Sequence, residues 1–329
     1  MRLDRSPLHA LVTVSALITL SACADKTTPS DDTGSAVDTD TTDDSGATDD
    51  SGATDDTDTP DDTGDTAPPP SGGASYTDTL GAEPDFSEPH GRFLVEWWLQ
   101  YGEISLSGSA SDGPSPRFQT ESARTGSCRL LTYAASSCEP ACSGGDVCID
   151  GTCESYPSRY TLGALDWSWP DGSESLTPDG TLGYFGRGDA QNNGETTLSG
   201  ADWSLTAPSV ETLAPDGDWE AALSGRPRGE DVTLRWTDPV EGARVRLYMT
   251  DCVGSHGGIG AAEIECEGPD SGELVIDGAF LDLLEDGDWS RGECGVHDYS
   301  RYFAAAPEGE DTLRFESSAR GQLFFRPDW

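Results

Sequence analysis

Every odd position from Phe93 to Tyr101 (Phe93, Val95, Trp97, Leu99, Tyr101) is apolar, and this period of two restricts what the chain can fold into. A repeat of two places alternate side chains on opposite faces of an extended strand, so the run reads as a half-buried strand. After Gly102-Glu103 the phase flips to Ile104 and Leu106, which predicts a turn or bulge at the glycine. Val232, Leu234 and Trp236 repeat the pattern, as do Ala243, Val245, Leu247 and Met249 after a loop from Asp238 to Gly242. Together these two runs predict a hairpin with one buried and one wet face, with Arg235, Arg244 and Arg246 on the wet side. Further strands are expected over 160–169, 181–185, 197–205, 273–276, 312–315 and 322–325. Helical periodicity is confined to Ala279–Glu285. Many short strands separated by Gly, Pro and Asp turns predict an all-β chain, an antiparallel β-sandwich, most simply one large sandwich.

Cysteine arithmetic adds a covalent constraint. Of nine cysteines, Cys23 belongs to a targeting segment, which leaves eight. An even number in an exported chain predicts four disulfides. Five cluster (Cys128, Cys138, Cys142, Cys148, Cys153) and three lie late (Cys252, Cys266, Cys294). Both groups are odd, so complete pairing requires at least one bridge between them, which disfavours independent halves. Residues 126–155 read as a small disulfide-rich insert. Four close cysteines also suit zinc, but the CxxC spacings of zinc ribbons are missing and exported thiols oxidise.

The N-terminus reads as an address. Arg2 and Arg5 precede an apolar run from Leu8 to Leu20, too short for the roughly 20 residues of a membrane span. Leu20-Ser21-Ala22-Cys23 then resembles the lipobox of bacterial lipoproteins, in which the cysteine is acylated and becomes the mature N-terminus. Residues 1–23 are therefore expected to be a lipoprotein signal peptide, and Ala24 after the cysteine is compatible with export to the outer membrane. Residues 24–75 hold fifteen Asp and the single Lys26, with a hexad at Asp43–Thr48 repeated at Asp49–Thr54. Such a segment cannot bury enough apolar surface to offset its chain entropy and is expected to be a disordered acidic tether. As a flexible coil it would span about 40 Å, before self-repulsion and Pro68-Pro69-Pro70 stretch it further.

The order of lipobox, Asp/Thr-rich tether, strands and the cluster Cys138-Glu139-Pro140-Ala141-Cys142…Cys148-Ile149-Asp150-Gly151-Thr152-Cys153 resembles a known group. So do Val232–Trp236, Ala243–Leu247 and Ile264–Gly272. The group is the Cys-rich β-sandwich surface lipoproteins of Gram-negative bacteria. The resemblance implies architecture and an exported, lipid-anchored location at the outer membrane or cell surface. It carries no activity, since none is established for that group.

The chain has 61 Asp+Glu against 19 Lys+Arg, a formal charge of −42. That excludes nucleic acid as a partner and electrostatic adhesion to anionic lipid, both of which need basic patches. The expected membrane contact is the lipid anchor alone. No HExxH pair and no GxSxG elbow occur. Gly254-Ser255-His256-Gly257-Gly258 is the nearest approach to a catalytic loop, and His297 is the other candidate, so the alternative to a binding or structural module is a secreted-type hydrolase using His256 or His297. Asp216-Gly217-Asp218-Trp219 and Asp286-Gly287-Asp288-Trp289 repeat locally. Asp216, Asp218, Asp286 and Asp288 suit calcium, the one cofactor the sequence suggests. Asp-Gly is also a turn signal with the Trp plugging the core, and that reading is preferred. Trp167 and Trp169 share a strand face and are a candidate platform for a glycan. Arg235, Arg244 and Arg246 form a candidate anion site, set against ordinary pairing with cross-strand carboxylates. A glycan or a protein is the expected ligand class.

Overall fold

Strands follow the turn spacing along the whole body. In chain order they are β1 (Gly73–Ser75), β2 (Gly91–Trp98), β3 (Glu103–Ser111), β4 (Thr120–Thr125), β5 (Cys128–Thr132), β6 (Val147–Ile149) and β7 (Thr152–Glu154). Then come β8 (Arg159–Tyr160), β9 (Leu165–Trp169), β10 (Gly172–Leu176), β11 (Tyr184–Asp189), β12 (Glu195–Ser199), β13 (Ser204–Pro208) and β14 (Ala214–Pro215). The last are β15 (Val232–Thr237), β16 (Arg244–Thr250), β17 (Ala262–Pro269), β18 (Glu273–Ile276), β19 (Val296–Pro307) and β20 (Leu313–Phe324). Among the described residues two short α-helices intervene, α1 (Trp219–Ser224) and α2 (Gly278–Glu285). The computed structural model describes residues 73–117, 119–133, 138–144, 146–149, 151–250, 262–285, 296–307 and 312–324. The signal peptide, the tether up to residue 72, Cys252, His256, Asp286, Asp288 and Cys294 lie outside the described residues.

The architecture is a layered, almost wholly antiparallel β fold. One large sheet runs β11-β3-β2-β20-β19-β16-β17-β5-β4, with β1 added to β19 and β8 to β3. Its pairs are antiparallel except β2 with β20, which run parallel in the register Phe93↔Phe315. Alternate side chains face opposite sides, and Phe93, Val95, Trp97, Phe315, Val245 and Leu247 are all buried on one face. Two smaller layers cover that face. The sheet β10-β9-β12-β13 brings Leu165, Trp167, Leu198 and Leu205 against Phe93, Ile104, Leu106 and Phe315. The sheet β14-β15-β18 and both helices bring Trp219, Leu234, Ile276, Phe280 and Leu284 against Leu247, Met249, Ile264 and Leu323. The expected single large sandwich is therefore one sheet serving two adjacent cores. Each Leu or Phe so buried contributes about 1.5–3 kcal/mol.

Four sequence expectations need correcting. The runs 232–236 and 243–249 do not form a hairpin: β15 pairs β14 and β18, whereas β16 pairs β17 and β19. Both strands carry an apolar stripe, and the loop between them, with Asp238 (φ 56) and Gly242 (φ 77) in left-handed conformations, turns one stripe to face the other across the core. The alternation at 93–101 ends as a strand at Trp98, because Leu99–Tyr101 wind into a 3-10 turn closed by Gly102 at φ 68. Residues 312–315 and 322–325 are two ends of one strand, β20. The ordered body also starts earlier than residue 76, since β1 pairs Gly73–Ser75 with Ala305–Pro307.

Among the described residues three disulfides are formed. Cys138–Cys148 and Cys142–Cys153 close the small insert around the β6-β7 hairpin. Cys128–Cys266 joins facing residues of β5 and β17, and this is the bridge between the two cysteine groups that parity demands. Cys138, Cys142 and Cys153 lie close together, but each sulfur is committed to a disulfide, so the zinc reading fails. Eight cysteines less these three bridges leave Cys252 and Cys294. Each lies four residues past the last β16-β19 pair, Tyr248↔Asp298. Non-reducing peptide mapping is expected to recover them as one linked peptide, and alkylation of either as a free thiol would refute this.

Candidate functional site: a charged cleft on the second face of the large sheet

The face of the large sheet away from the cores is polar, and most of it is not wet. Between β1 and β2 the chain crosses this face as a strap, fastened by arginines whose alternation places them outward from the cores. Arg244 on β16 donates to the carbonyl oxygens of Gly81 (2.8 Å) and Glu83 and pairs with Glu267. Glu267 also accepts from the Asp85 amide and, at 2.8 Å, from the Tyr302 hydroxyl. Arg314 on β20 reaches Asp85 Oδ2, the Tyr76 hydroxyl and Ser87 Oγ, each at 2.8 Å, and stacks over the Tyr76 ring. Side chains of Arg244, Glu267 and Arg314 are essentially fully buried. The strap thus hides a charged layer that the sequence presents as a solvent face.

Beyond the strap the layer opens into a cleft of about 300 Å³. Its floor is Arg246 and Glu316, with Ser300 and Ser318 alongside, and its rim holds Arg92, Glu96, Asp298, Arg320, Tyr248 and Arg117. Four neighbouring strands, β2, β20, β19 and β16, place these side chains on one face by register (Leu94↔Glu316, Arg320↔Ser300, Ser300↔Arg246), the fifth strand β17 adds Glu265, and Arg117 reaches in from the loop before β4. Glu316 Oε2 accepts from Arg92 and, at 3.4 Å, from Arg246 Nη1. The Arg246 guanidinium lies 4.6 Å over the Tyr302 ring, and its Nε has no acceptor among the described residues. Arg320 bridges Asp298 (2.8 Å) and Glu96 (3.5 Å) at the rim.

The floor sets one guanidinium, Arg246, beside one carboxylate, Glu316, and each holds the other in its charged form. Burial alone would raise the Glu316 pKa, but the guanidiniums of Arg92, Arg246 and Arg314 prevail and hold it at about 2. Burial works against the Arg246 charge as well, and Glu316 more than restores it, so its pKa is raised. Burial and the Glu263 carboxylate push the Tyr248 hydroxyl above its ordinary range, which keeps it a neutral hydrogen-bonding group. With a folded pKa of about 2 against an ordinary 4.5, ionised Glu316 stabilises the fold fully above about pH 4.5. That contribution, on the order of 3 kcal/mol, is lost as pH falls towards 2. Urea unfolding of the native protein is expected to weaken more steeply from pH 5 to 2.5 than that of Glu316→Gln; equal slopes would contradict it.

The sequence candidates scatter across the structure. Arg246 lies in the cleft, Arg244 is sealed under the strap, and Arg235 is exposed on another sheet, paired with Glu273 at 3.2 Å. These three do not form one anion site, because β15 and β16 belong to facing layers. Trp167 is fully buried, its indole N–H donating to Thr196 Oγ1 at 2.9 Å, and Trp169 packs on it and donates to the Asp189 carbonyl. The pair is part of a core and offers no open platform. Asp218 caps α1 by accepting from the Ala221 amide, Gly217 supplies φ 98, and Trp219 is buried. Here the Asp-Gly turn reading holds, although the Trp opens a helix and not a strand. His297 is fully buried on the core face of β19, where Nδ1 faces the Thr250 amide at 3.4 Å, and it does not line the cleft. His297 therefore contributes nothing to this cleft.

Sequence reasoning missed Arg92, Glu316 and Arg320 as site residues. For Glu316 and Arg320 the signal is the outward alternation of polar positions in β20 (Arg314, Glu316, Ser318, Arg320), which the reading of β20 as two fragments concealed; for Arg92 it is the outward phase of β2.

No family model matches the chain, and no curated protein matches it.

Proposed function

We propose that this chain is a lipid-anchored bacterial lipoprotein whose β body serves as a non-enzymatic binding module at the cell surface. The anchor rests on the lipobox ending at Cys23, and the tether of residues 24–72 would carry the body away from the bilayer. The observation that carries the binding assignment is the cleft on the second face of the large sheet. Five strands converge charged and hydroxyl side chains on a space of about 300 Å³, within the range of small-molecule sites. A strap fastened by buried Arg244 and Arg314 pre-organises this face, which lowers the ordering cost of binding. Charges at the floor are held in place by Glu316, so the cleft offers fixed donors and acceptors to a ligand.

The full chain in detergent micelles, applied to printed arrays of neutral glycans, acidic glycans and peptides, tests the assignment. Retention of at least one class, lost in an Arg246→Lys variant that unfolds at the native temperature, is the expected result. Retention of none, or turnover of the printed compound, would defeat it.

A further inference from the structure

Two features of the large sheet point to the same ligand chemistry. The first is an under-used buried guanidinium. Arginine carries five N–H donors, yet the only protein acceptor of Arg246 among the described residues is Glu316, at a long 3.4 Å. Its side chain is 18 % exposed, and that exposed part opens into the cleft. Arg92 and Arg320 stand at the rim with side chains 45 % and 44 % exposed. An acceptor entering the cleft would thus meet three guanidiniums. Each carboxylate lining the cleft already has an arginine partner: Glu316 has Arg92 and Arg246, Asp298 and Glu96 share Arg320, Asp85 has Arg314, and Glu88 and Glu265 have Arg117. That arrangement leaves no uncommitted carboxylate for an ammonium group, which disfavours a free amino acid. Carboxylate oxygens keep further lone pairs for hydroxyl donors, and Ser300, Ser318 and Tyr248 add hydroxyls of their own.

The second feature is a neighbouring depression that shares Glu96 as a wall. It is lined by Trp98, Tyr101, Glu103, Arg187 and Asp189, with a volume of about 580 Å³. Tyr101 is 72 % exposed, because the 3-10 turn at Leu99–Tyr101 lifts it off the strand. An exposed aromatic ring beside charged groups offers an apolar face to a ring and polar partners to its edge.

We infer that the cleft takes the carboxylate of a hexuronate unit of an acidic glycan, with Arg246, Arg92 and Arg320 as its donors, and that the adjoining unit lies against Tyr101 and Trp98. Asp298 and Glu96 accept ring hydroxyls. This rests on the reading of the chain as a binding module and names its ligand class. A cleft of about 300 Å³ admits one ring and its carboxylate, so the chain of the glycan continues over Glu96 into the second depression.

Calorimetric titration of the full chain in micelles with galacturonate, galactose, acetate, inorganic phosphate and trigalacturonate tests this. Galacturonate is expected to bind at least tenfold more tightly than galactose, acetate or phosphate, and trigalacturonate more tightly still. Arg246→Lys and Arg320→Gln should each weaken galacturonate about tenfold; Arg320 is a rim residue, so its variant keeps the assay meaningful if Arg246→Lys unfolds. Tyr101→Ala should weaken the trimer and leave the monomer unchanged. Equal binding of galactose, tighter binding of phosphate, or native affinity in both arginine variants would overturn the inference. So would failure of galacturonate and trigalacturonate to bind. If uronates fail while the arrays retain a neutral glycan or a peptide, the binding-module assignment stands and only the ligand class falls.

Discussion

Cys23→Ser moves the protein from the membrane fraction into the aqueous one. The expectation follows from chain arithmetic: one acyl chain gives marginal, reversible binding, and two or more at about 0.8 kcal/mol per buried CH₂ anchor stably. The proposed lipobox would place a diacylglyceryl thioether on the Cys23 sulfur and an N-acyl chain on its freed amine, and both require the cysteine. Nothing else in the composition would hold the chain to an anionic surface, since it carries 19 basic against 61 acidic residues. No described helix is long and apolar enough to cross a membrane. Phase separation in a clouding detergent checks the prediction: native protein in the detergent phase, the variant in the aqueous phase. Equal partition of the two would remove the lipidation claim, and with it the role given to the tether.

The largest loss of stability is expected from Glu267→Ala. Glu267 is fully buried and serves Arg244, the Asp85 amide and the Tyr302 hydroxyl at once. Its removal leaves the Arg244 guanidinium buried with only the strap carbonyls as acceptors. Breaking a buried pair by deleting one partner costs about 3–5 kcal/mol, because the surviving charge stays desolvated. For a body of this size that lowers the melting temperature on the order of 10 °C. The strap should loosen too, so amides of residues 81–87 are expected to exchange faster with deuterium. Arg235→Ala is the control: its pair with Glu273 is exposed on both sides and is worth about 0–1 kcal/mol. A Glu267→Ala protein as stable as Arg235→Ala would show that the strap is not held by this charge layer.

Much of the fold was legible because backbone pleating has a period of two and apolar residues follow it. Phe93, Val95 and Trp97 predicted β2, and Val245, Leu247 and Met249 predicted the inward face of β16. Helix α2 was readable from one apolar cluster, Ala279 to Leu284. Parity of the two cysteine groups required a bridge of the kind that Cys128–Cys266 forms. Alternation says which residues turn inward along one strand, but it does not say which strand lies beside which. That is why Val232–Trp236 and Ala243–Met249 looked like partners and are instead facing layers.

The site was far less legible. Arg235, Arg244 and Arg246 each alternate with the apolar positions of their own run and have three different fates, exposed, sealed and cleft-lining. A charged residue on the outward side of a strand is ordinarily solvated. Only the strap, fastened from residues 76–87, converts that side into a buried layer with an opening. Trp167 and Trp169 failed as a platform for the converse reason: their shared face turned to the core, as large aromatic surfaces do when a second layer is available.

Local rules acting on neighbours in the chain therefore determined the β class, the turns and the cysteine parity, and they are the ground for the proposed tether and the proposed anchor at Cys23. These properties depend on residue order over a few positions, and a single sequence carries them in full. Tertiary structure decided what no local rule reaches: the parallel contact of β2 with β20, two cores on one sheet, and a strap over charged residues from five strands. The cleft exists because Arg92, Arg246 and Glu316, separated by up to 224 positions, are brought onto one face by strand register. Register is set by long-range packing, and so the site appears only when the chain is folded.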